Sequence, residues 1–290
     1  MKNLSATGTA ALHFIRTGPR GQTPVVLLHA VGMDLTLWDH QIEALHHTYD
    51  VIALDLPGHG LSAGLSGELS FSNFAAVIAQ LIEGLGVGPV HVVGISFGSM
   101  VAQTLALEHP ALVRSLSLIG AAGTFAAAGR AALRARADFV RAEGIPAVAP
   151  LSLARWFTPT FSQRRPDVLD RVTKILYQQQ AAYHAALWDS IATLDTLPHL
   201  RALALPALVI VGEEDTSTPL AAAQALADAL QTTNLHIVSH SAHFTNLDAP
   251  GAVSELLLRF LNSFAEPPGR WLHGCPQMLP ARSNNRGWFD

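Results

Sequence analysis

Short, continuously apolar segments alternate with longer segments of helical periodicity along most of this chain. Six of the apolar segments are rich in Val, Ile and Leu: Val25–Val31, Val51–Leu56, Val90–Ser96, Val113–Ile119, Ala207–Gly212 and Leu235–Ser239. A strand that is apolar on both sides must be covered on both faces, as in a parallel sheet between two layers of helices. The pattern therefore predicts an α/β fold on a mostly parallel central sheet, with Leu12–Arg16 as part of an initial antiparallel strand.

The segments between these strands carry apolar residues at helical spacing. They are Leu35–His46, Phe71–Leu85, Gly98–His109, Leu220–Leu230 and Val253–Phe264. Strand and helix thus alternate, as a parallel sheet covered by helices requires.

One interval interrupts this alternation, because more than eighty residues separate the strand that ends at Ile119 from the strand that begins at Ala207. We expect an inserted helical cap in this interval. Its predicted helices are Ala126–Arg141, Val168–Gln180 and Ala182–Ile191, and a proline-containing stretch, Ile145–Thr160, separates the first two. The expected boundaries are residues 1–122 and 201–264 for the two parts of the α/β core, 123–200 for the cap and 265–290 for an irregular C-terminal tail.

Charge and composition narrow the range of partners. The formal net charge of −4 comes without the basic stripe that a phosphate backbone requires, so a small molecule is favoured over nucleic acid. Residues 1–24 lack the pattern of a secretory signal, and the apolar runs are far shorter than the roughly 20 residues of a membrane helix. The single cysteine, Cys275, can form no internal disulfide. We expect a cytoplasmic protein without a membrane partner, and its oligomeric state, a homodimer included, stays open.

A serine stands where a strand is predicted to turn into a helix. The pattern Gly-x-Ser-x-Gly occupies Gly94–Gly98 and is centred on Ser96. Small neighbours relieve the crowding of so abrupt a turn, and the start of the helix offers free N–H groups to a developing anion. This context predicts that Ser96 is a nucleophile.

A serine hydroxyl needs a base to take its proton, and histidine is suited to that task at neutral pH. Among the fourteen histidines, His243 directly follows the last predicted strand, so its loop would reach back over Ser96. His240 is the nearest alternative.

The acid that orients the histidine should follow a strand between the serine and the histidine in chain order. The strand that ends at Gly212 is followed by three carboxylates, Glu213, Glu214 and Asp215. Asp215 is favoured because the Gly-x-x-Asp spacing sets it past the turn, and Glu214 is the alternative.

Attack on a carbonyl creates an oxyanion, which two preorganised N–H groups must stabilise. The backbone N–H of Phe97, directly after the serine, is one predicted donor. The other is the backbone N–H of Val31, in the loop after the first long strand, where Gly32 allows a close approach.

With these residues assembled, residues 10–264 resemble the α/β-hydrolase superfamily. Four motifs agree in order and context: the loop His29–Gly32, the segment Asp55–Ser62, the serine turn, and Asp215 followed by His243. The resemblance implies that Asp55 and His59 support a loop and take no part in catalysis.

Within that superfamily the chain looks most like 3-oxoadipate enol-lactonases, through Gly32–Gln41, Ala154–Phe161 and Ser241–Asn246. Those enzymes open an enol-lactone with water in bacterial aromatic degradation. The chain departs from them at Pro57, where the family often has arginine, at Phe97–Ser99, and in Ala131–Phe139, which lacks the family's cap tryptophan.

The resulting expectation is a serine esterase or lactonase that forms an acyl-enzyme and requires neither a metal nor an organic cofactor. A general carboxylesterase, a C–C bond hydrolase of ring-cleavage products and a non-enzymatic receptor are the alternatives. Trp156 and Trp188 are candidate substrate-binding residues, and the other aromatic residues considered for the cap pocket are Phe157, Phe161, Tyr177 and Tyr183. The candidates for binding a substrate carboxylate are Arg155, Arg164 and Arg165.

Overall fold

The computed structural model describes residues 11–264. Its strands are β1 Phe14–Thr17, β2 Pro24–Leu28, β3 Asp50–Leu54, β4 Val90–Ile95, β5 Val113–Ile119, β6 Ala207–Gly212 and β7 Leu235–Val238. They form one sheet in the order β1-β3-β2-β4-β5-β6-β7. β1 is antiparallel to β3, and every other pair of neighbours is parallel. The predicted fold class is therefore confirmed.

The helices fill the intervals between the strands. They are α1 Asp39–Leu45, α2 Phe71–Leu85, α3 Phe97–Glu108, α4 Ala127–Trp156, α5 Pro159–Arg164, α6 Pro166–Tyr177, α7 Ala181–Ile191, α8 Leu220–Ala229, α9 Thr245–Asp248 and α10 Pro250–Asn262. Short 3₁₀ turns lie at Leu35–Trp38, Pro110–Leu112 and Leu200–Ala202. The predicted helix at Leu35–His46 is thus a 3₁₀ turn followed by α1.

Burial explains why the central strands are apolar throughout. Every residue of β2, β3, β4 and β6 is buried, which leaves no face of these strands for water. Because parallel strands all point the same way, their carboxyl ends meet at one edge of the sheet, and ligands bind outside that edge in open α/β sheets. The loops after β2, β4, β6 and β7 therefore converge.

Four helices, α4 to α7, occupy the interval between β5 and β6, where the sequence predicts helices. The interpretation of Ile145–Thr160 as a non-helical stretch is wrong, because α4 continues to Trp156 and α5 begins at Pro159. Gly144, with φ 76° and ψ 176°, breaks α4 into two arms. Pro146 then lies in the first turn of the second arm, where its missing N–H has no helical acceptor to lose.

Two further expectations concern the ends of the chain and its relation to membranes. The irregular tail predicted for residues 265–290, with Cys275, lies outside the described residues. No helix between residues 11 and 264 is both long enough and apolar enough to cross a membrane.

Candidate active site

Ser96 lies at the point where β4 turns directly into α3. Its backbone has φ 52° and ψ −117°, a conformation that L-residues rarely adopt. The Ser96 N–H donates to the Ile119 carbonyl of β5 over 2.9 Å, which holds the turn in place. Strain of this kind persists only where the surroundings enforce it, and it concentrates at functional sites. The turn brings Ser96 to the wall of a cavity at the carboxyl edge of the sheet.

The two glycines of the serine turn are required by close backbone approaches. A Cβ on Gly98 would lie 2.1 Å from the Leu28 carbonyl oxygen of β2. A Cβ on Gly94 would lie 2.6 Å from the backbone of Gly98. No side chain fits either gap, so the Gly-x-Ser-x-Gly spacing follows from the crossing of β4, α3 and β2.

The structure brings Ser96, His243 and Asp215 into one chain of hydrogen bonds. Ser96 Oγ lies 2.9 Å from Nε2 of His243. On the other side of the ring, His243 Nδ1 lies 2.8 Å from Oδ2 of Asp215. All three residues are buried. The hydroxyl can therefore donate to Nε2 while the N–H at Nδ1 donates to the carboxylate, an arrangement that prepares the hydroxyl to lose its proton.

The carboxylate of Asp215 is held by its own loop. Its Oδ1 accepts the backbone N–H groups of Ser217 and Thr218, and its Oδ2 accepts the Thr218 hydroxyl over 2.7 Å. Burial alone raises the pKa of Asp215, but the charge and hydrogen bond of His243, with the donors of Thr218, outweigh burial and hold that pKa below its usual value. Asp215 is therefore ionised and fixed in position.

The alternatives that the sequence left open lie elsewhere. His240 is exposed, with φ 56°, and its backbone N–H donates to the Glu213 carboxylate. Glu214 is also exposed. Among residues 11–264, neither side chain makes a hydrogen bond to Ser96 or His243.

The two predicted oxyanion donors belong to a residue next to the serine and to a residue of the same cavity wall. Phe97 is the first residue of α3, where backbone N–H groups have no acceptor within the helix. Val31 lines the same cavity as Ser96. The adjacent Gly32 N–H donates to Nε2 of His59 over 3.0 Å, which anchors the Val31 loop.

His59 must be neutral to accept that hydrogen bond. Burial, and then the nearby His29, lower the pKa of His59 well below its usual value. Its Nδ1 lies 3.1 Å from the Pro57 carbonyl oxygen, which fixes the proton on that nitrogen. Asp55 accepts the backbone N–H groups of Leu35 and Leu61. Both residues thus contact the loops around the site and not the serine.

A cavity of about 670 Å³ opens over Ser96 and His243. Both predicted substrate-binding residues, Trp156 and Trp188, line it. The other residues of its wall include Ala30, Met100, Phe125, Gly129, Ala132, Leu133, Phe139, Leu151, Ala154, Ile191, Ser217, Thr218 and Phe244. The wall is therefore largely apolar.

The remaining aromatic residues of the inserted helices do not line this cavity. Phe157 and Phe161 stack on each other with ring centroids 5.2 Å apart. The Tyr183 hydroxyl donates to the Pro57 carbonyl, and Tyr177 is half exposed. Phe157, Phe161 and Tyr183 therefore pack the inserted helices on one another and on the loop of His59.

Of the three candidate arginines, one lines the cavity and two do not. Arg155 lines the cavity rim and reaches Ser217. Arg164 is exposed, and Arg165 forms an ion pair with Asp167; neither lines the cavity. The arginine that reaches deepest was not among the candidates of the sequence analysis: it is Arg136, on the first arm of α4.

Arg136 is mostly buried without an acidic partner. Its guanidinium carbon lies 4.2 Å from the centroid of the Trp188 ring, and Nη2 donates to Ser152 Oγ over 2.5 Å. Nε is buried and has no hydrogen-bond partner, and no carboxylate between residues 11 and 264 lies within ion-pair distance. Burial, and then the positive charge of Arg155, lower the pKa of Arg136 to about 10. A buried cation of this kind is suited to an anionic ligand.

Trp188, which stacks on Arg136, is itself held by His184. The Trp188 Nε1–H donates to His184 Nε2 over 2.9 Å. Burial, and then the Arg136 charge, lower the pKa of His184 to about 3, so this histidine is neutral and can accept. The sequence carried no signal for this contact beyond the i, i+4 spacing of the two residues on α7.

In the described part of the chain, one group of side chains has the spacing to hold a metal ion: Glu43, His46 and His47. None of the three lines the cavity, and Nδ1 of His46 already lies 2.9 Å from the Glu43 carbonyl oxygen. The group therefore has no part in the site over Ser96.

Known proteins similar to this chain belong to one fold family. A family model described as "alpha/beta hydrolase fold" matches residues 23–250. A 3-oxoadipate enol-lactonase of Acinetobacter baylyi is 28% identical over 255 residues, which are 88% of this chain and 94% of that protein. An (E)-2-((N-methylformamido)methylene)succinate hydrolase of the same organism is 27% identical and covers 90% of this chain and 98% of its own length.

The solved structures give the same picture. The enol-lactonase from Burkholderia xenovorans superimposes with a TM-score of 0.83 at 26% identity. That comparison covers 90% of this chain and all of the other.

Proposed function

The chain belongs to the α/β-hydrolase-fold family, and from that premise we propose that it cleaves an ester or lactone of a small organic acid through an acyl-enzyme on Ser96. One observation carries the proposal: the unbroken chain of hydrogen bonds from Ser96 through His243 to Asp215 at the base of the cavity. That arrangement supplies a nucleophile, a base and an orienting acid.

In the proposed first step, Ser96 Oγ attacks the substrate carbonyl carbon while its proton passes to His243 Nε2. The oxyanion is stabilised by the backbone N–H groups of Val31 and Phe97. When the tetrahedral intermediate collapses, the leaving oxygen takes the proton from Nε2. In a lactone, that oxygen stays attached to the acyl group.

Water then completes the reaction. His243 accepts a proton from the water as its oxygen attacks the acyl carbon, and the second tetrahedral intermediate releases Ser96, which recovers the proton. Asp215 stays ionised throughout and stabilises the imidazolium. The low pKa of Asp215 supports this role.

The substrate we propose carries a free carboxylate. Arg136 lines the cavity, and its positive charge has no acidic partner in the described residues. The names of two similar proteins denote an enol-lactone and a substituted succinate, both derived from dicarboxylic acids. An enol-lactone that retains one carboxylate is therefore the first substrate to test.

We also propose that residues 123–200 act as a cap that positions His243. The backbone N–H of Phe244 donates to the Trp156 carbonyl over 2.9 Å, and the two rings stack with centroids 4.5 Å apart. This contact joins the end of α4 to the residue directly after the proposed base.

The test compares two histidine variants on esters and lactones. His243→Ala should lower kcat/KM for p-nitrophenyl acetate by about 10³-fold or more, since a missing triad member removes most of the catalysis. His240→Ala, three residues away and exposed, should stay within about twofold of wild type. An equal loss in both variants, or none in either, would contradict the proposal.

A panel of enol-lactones, simple esters and ring-cleavage dienoates tests the substrate. Efficient cleavage of an enol-lactone with a carboxylate supports the lactonase assignment. Efficient cleavage of short neutral esters without any of lactones would instead favour a general carboxylesterase.

A further inference from the structure

The cavity over Ser96 extends from the buried serine to the protein surface along both arms of α4. Gly129, Leu133, Arg136 and Phe139 lie along one stripe of the first arm and all line the cavity. The ten residue steps from Gly129 to Phe139 correspond to about 15 Å of helix at 1.5 Å per residue. The wall is therefore much longer than the immediate surroundings of a scissile carbonyl.

The outer end of this wall exposes large apolar side chains. Ser96 is only 8% exposed, whereas Phe139 on the first arm is 39% and Leu151 on the second arm is 56% exposed. Single exposed apolar residues need no explanation, but two at the mouth of one apolar cavity mark a binding surface. We call the part of the cavity lined by Phe139 and Leu151 the outer half.

The cavity is much larger than a small lactone requires. A five-membered enol-lactone with one carboxymethyl group has about ten non-hydrogen atoms, which at roughly 30 Å³ each, the share of a water molecule in the liquid, occupy at most about 300 Å³. The cavity of about 670 Å³ is more than twice that size. It falls within the range of about 300–1,000 Å³ that is typical of sites for larger ligands.

We propose that the substrate carries an apolar arm, an alkyl chain or an aryl group, that lies in the outer half against Phe139 and Leu151. The inference rests on the proposed function, because it takes Ser96 as the site of the scissile carbonyl. Arg136 lies about one helical turn before Phe139 on the same cavity wall, so an anionic group bound there lies beside the arm. The substrate class is an amphiphilic ester or lactone that is larger than the simple enol-lactones.

The occupant is part of the substrate because the apolar surface is continuous with the reacting centre. The walls of the outer half belong to the same cavity as Ser96 and His243. A polypeptide partner would need a surface that extends beyond the cavity, and the cavity itself accounts for both exposed side chains.

The experiment uses two homologous series: methyl esters of linear acids and acetate esters of linear alcohols, with two to eight carbons in the variable part. Hydrolysis is measured through the protons that it releases. Each methylene buried in the outer half should raise kcat/KM by up to about fourfold. At least one series should therefore rise tenfold or more from the shortest to the longest member. A flat or falling profile in both series would overturn the inference.

Two matched variants separate the outer half from other exposed apolar surface. Leu151 and Ile237 are 56% and 51% exposed, and only Leu151 lines the cavity. Leu151→Ser should lower kcat/KM for the longest ester about three- to tenfold relative to the shortest ester, while Ile237→Ser should change neither. An unchanged rate of the longest ester in Leu151→Ser would contradict the inference.

The remaining outcomes are distinct. If wild type cleaves no ester in either series and no lactone, the proposed function fails and the inference with it. If short esters are cleaved and length has no effect, the inference alone fails. A wild-type dimer that Leu151→Ser dissociates would assign the outer half to a second copy of the chain and would also overturn the inference.

Discussion

Replacement of Arg136 by methionine should weaken substrate binding while leaving the free energy of unfolding nearly unchanged. Methionine is unbranched and polarisable, so it can lie on the Trp188 ring in place of the arginine stem. The fall of the Arg136 pKa from its usual value to about 10 corresponds to a cost of about 3 kcal/mol for holding the charge in the folded protein. Because the folded pKa is lowered, this cost is present at every pH below about 10, neutral pH included.

The contacts that Arg136 makes offset most or all of that cost. A cation–π contact contributes about 1–2 kcal/mol, and a hydrogen bond from a charged donor to Ser152 about 1.5–3 kcal/mol. The free energy of unfolding of Arg136→Met should therefore stay within about 1 kcal/mol of wild type. Loss of one partner of a buried ion pair would instead cost about 3–5 kcal/mol.

Substrate binding should respond far more strongly. A charge-assisted hydrogen bond to a carboxylate contributes about 1.5–3 kcal/mol, so its loss should lower kcat/KM about 10- to 100-fold. Monomethyl adipate and dimethyl adipate form a suitable pair, because they differ only in the free carboxylate. Arg136→Met should lose activity on the monoester alone.

Urea unfolding and steady-state kinetics measure both quantities on the same protein. Arg165→Met is the control, since Arg165 is exposed and pairs with Asp167 outside the cavity. Equal losses on the two adipate esters would refute the role in carboxylate binding. A loss of stability of 3 kcal/mol or more would refute the conclusion that Arg136 has no buried acidic partner.

Three further substitutions test the surroundings of the site. Asp215→Asn should lower kcat about 10³- to 10⁴-fold in the ester assay, whereas the adjacent Glu214→Gln should keep kcat within about twofold of wild type. Similar losses in the two variants would contradict the assignment of Asp215 as the acid. Burial raises the pKa of Asp248 from 3.8 to about 6, so the cost of its ionised form develops as pH rises between these two values and is fully present above about 6. After allowance for solvent screening, Asp248→Asn should gain about 1 kcal/mol, or about 3 °C in Tm, at pH 7.5 and much less near pH 4. A gain independent of pH would contradict this reasoning. His184→Leu should lower the free energy of unfolding by about 1–3 kcal/mol, because it leaves the Trp188 N–H without an acceptor. His184→Gln should recover most of that loss. Equal unfolding free energies in the two variants would exclude the hydrogen bond as the cause.

The sequence predicted the sheet and the serine turn because both depend on local patterns. Strands buried on both faces must be apolar throughout, and β4, β5 and β6 were placed with their observed starts. The turn at Ser96 requires glycine at positions 94 and 98, because a Cβ at either position would lie 2.6 Å or less from neighbouring backbone atoms. The geometry of the turn can therefore be recognised from the sequence. Chain order then located Asp215 and His243, which the structure brings into hydrogen-bond contact; their catalytic roles stay predictions.

The inserted helices were harder to predict because their sequence patterns are compatible with more than one structure. Proline at positions 146 and 150 favoured a non-helical stretch, but the break falls at Gly144, and Pro146 lies where a helix tolerates proline. Arg136 was missed for a different reason. Helical periodicity shows that it shares a stripe with Leu133 and Phe139, but not that this stripe faces a cavity that opens onto Ser96.

The central claim is that Ser96 is the nucleophile of a serine hydrolase, and covalent labelling tests it most directly. A fluorophosphonate reacts with a serine only where a base activates the hydroxyl and an anion site binds the phosphoryl oxygen. The account predicts that one probe molecule adds to the wild-type chain, that peptide sequencing places it on Ser96 and not on the nearby Ser99, and that Ser96→Ala takes up none. No addition to the wild-type protein, or addition that persists in Ser96→Ala, would contradict it.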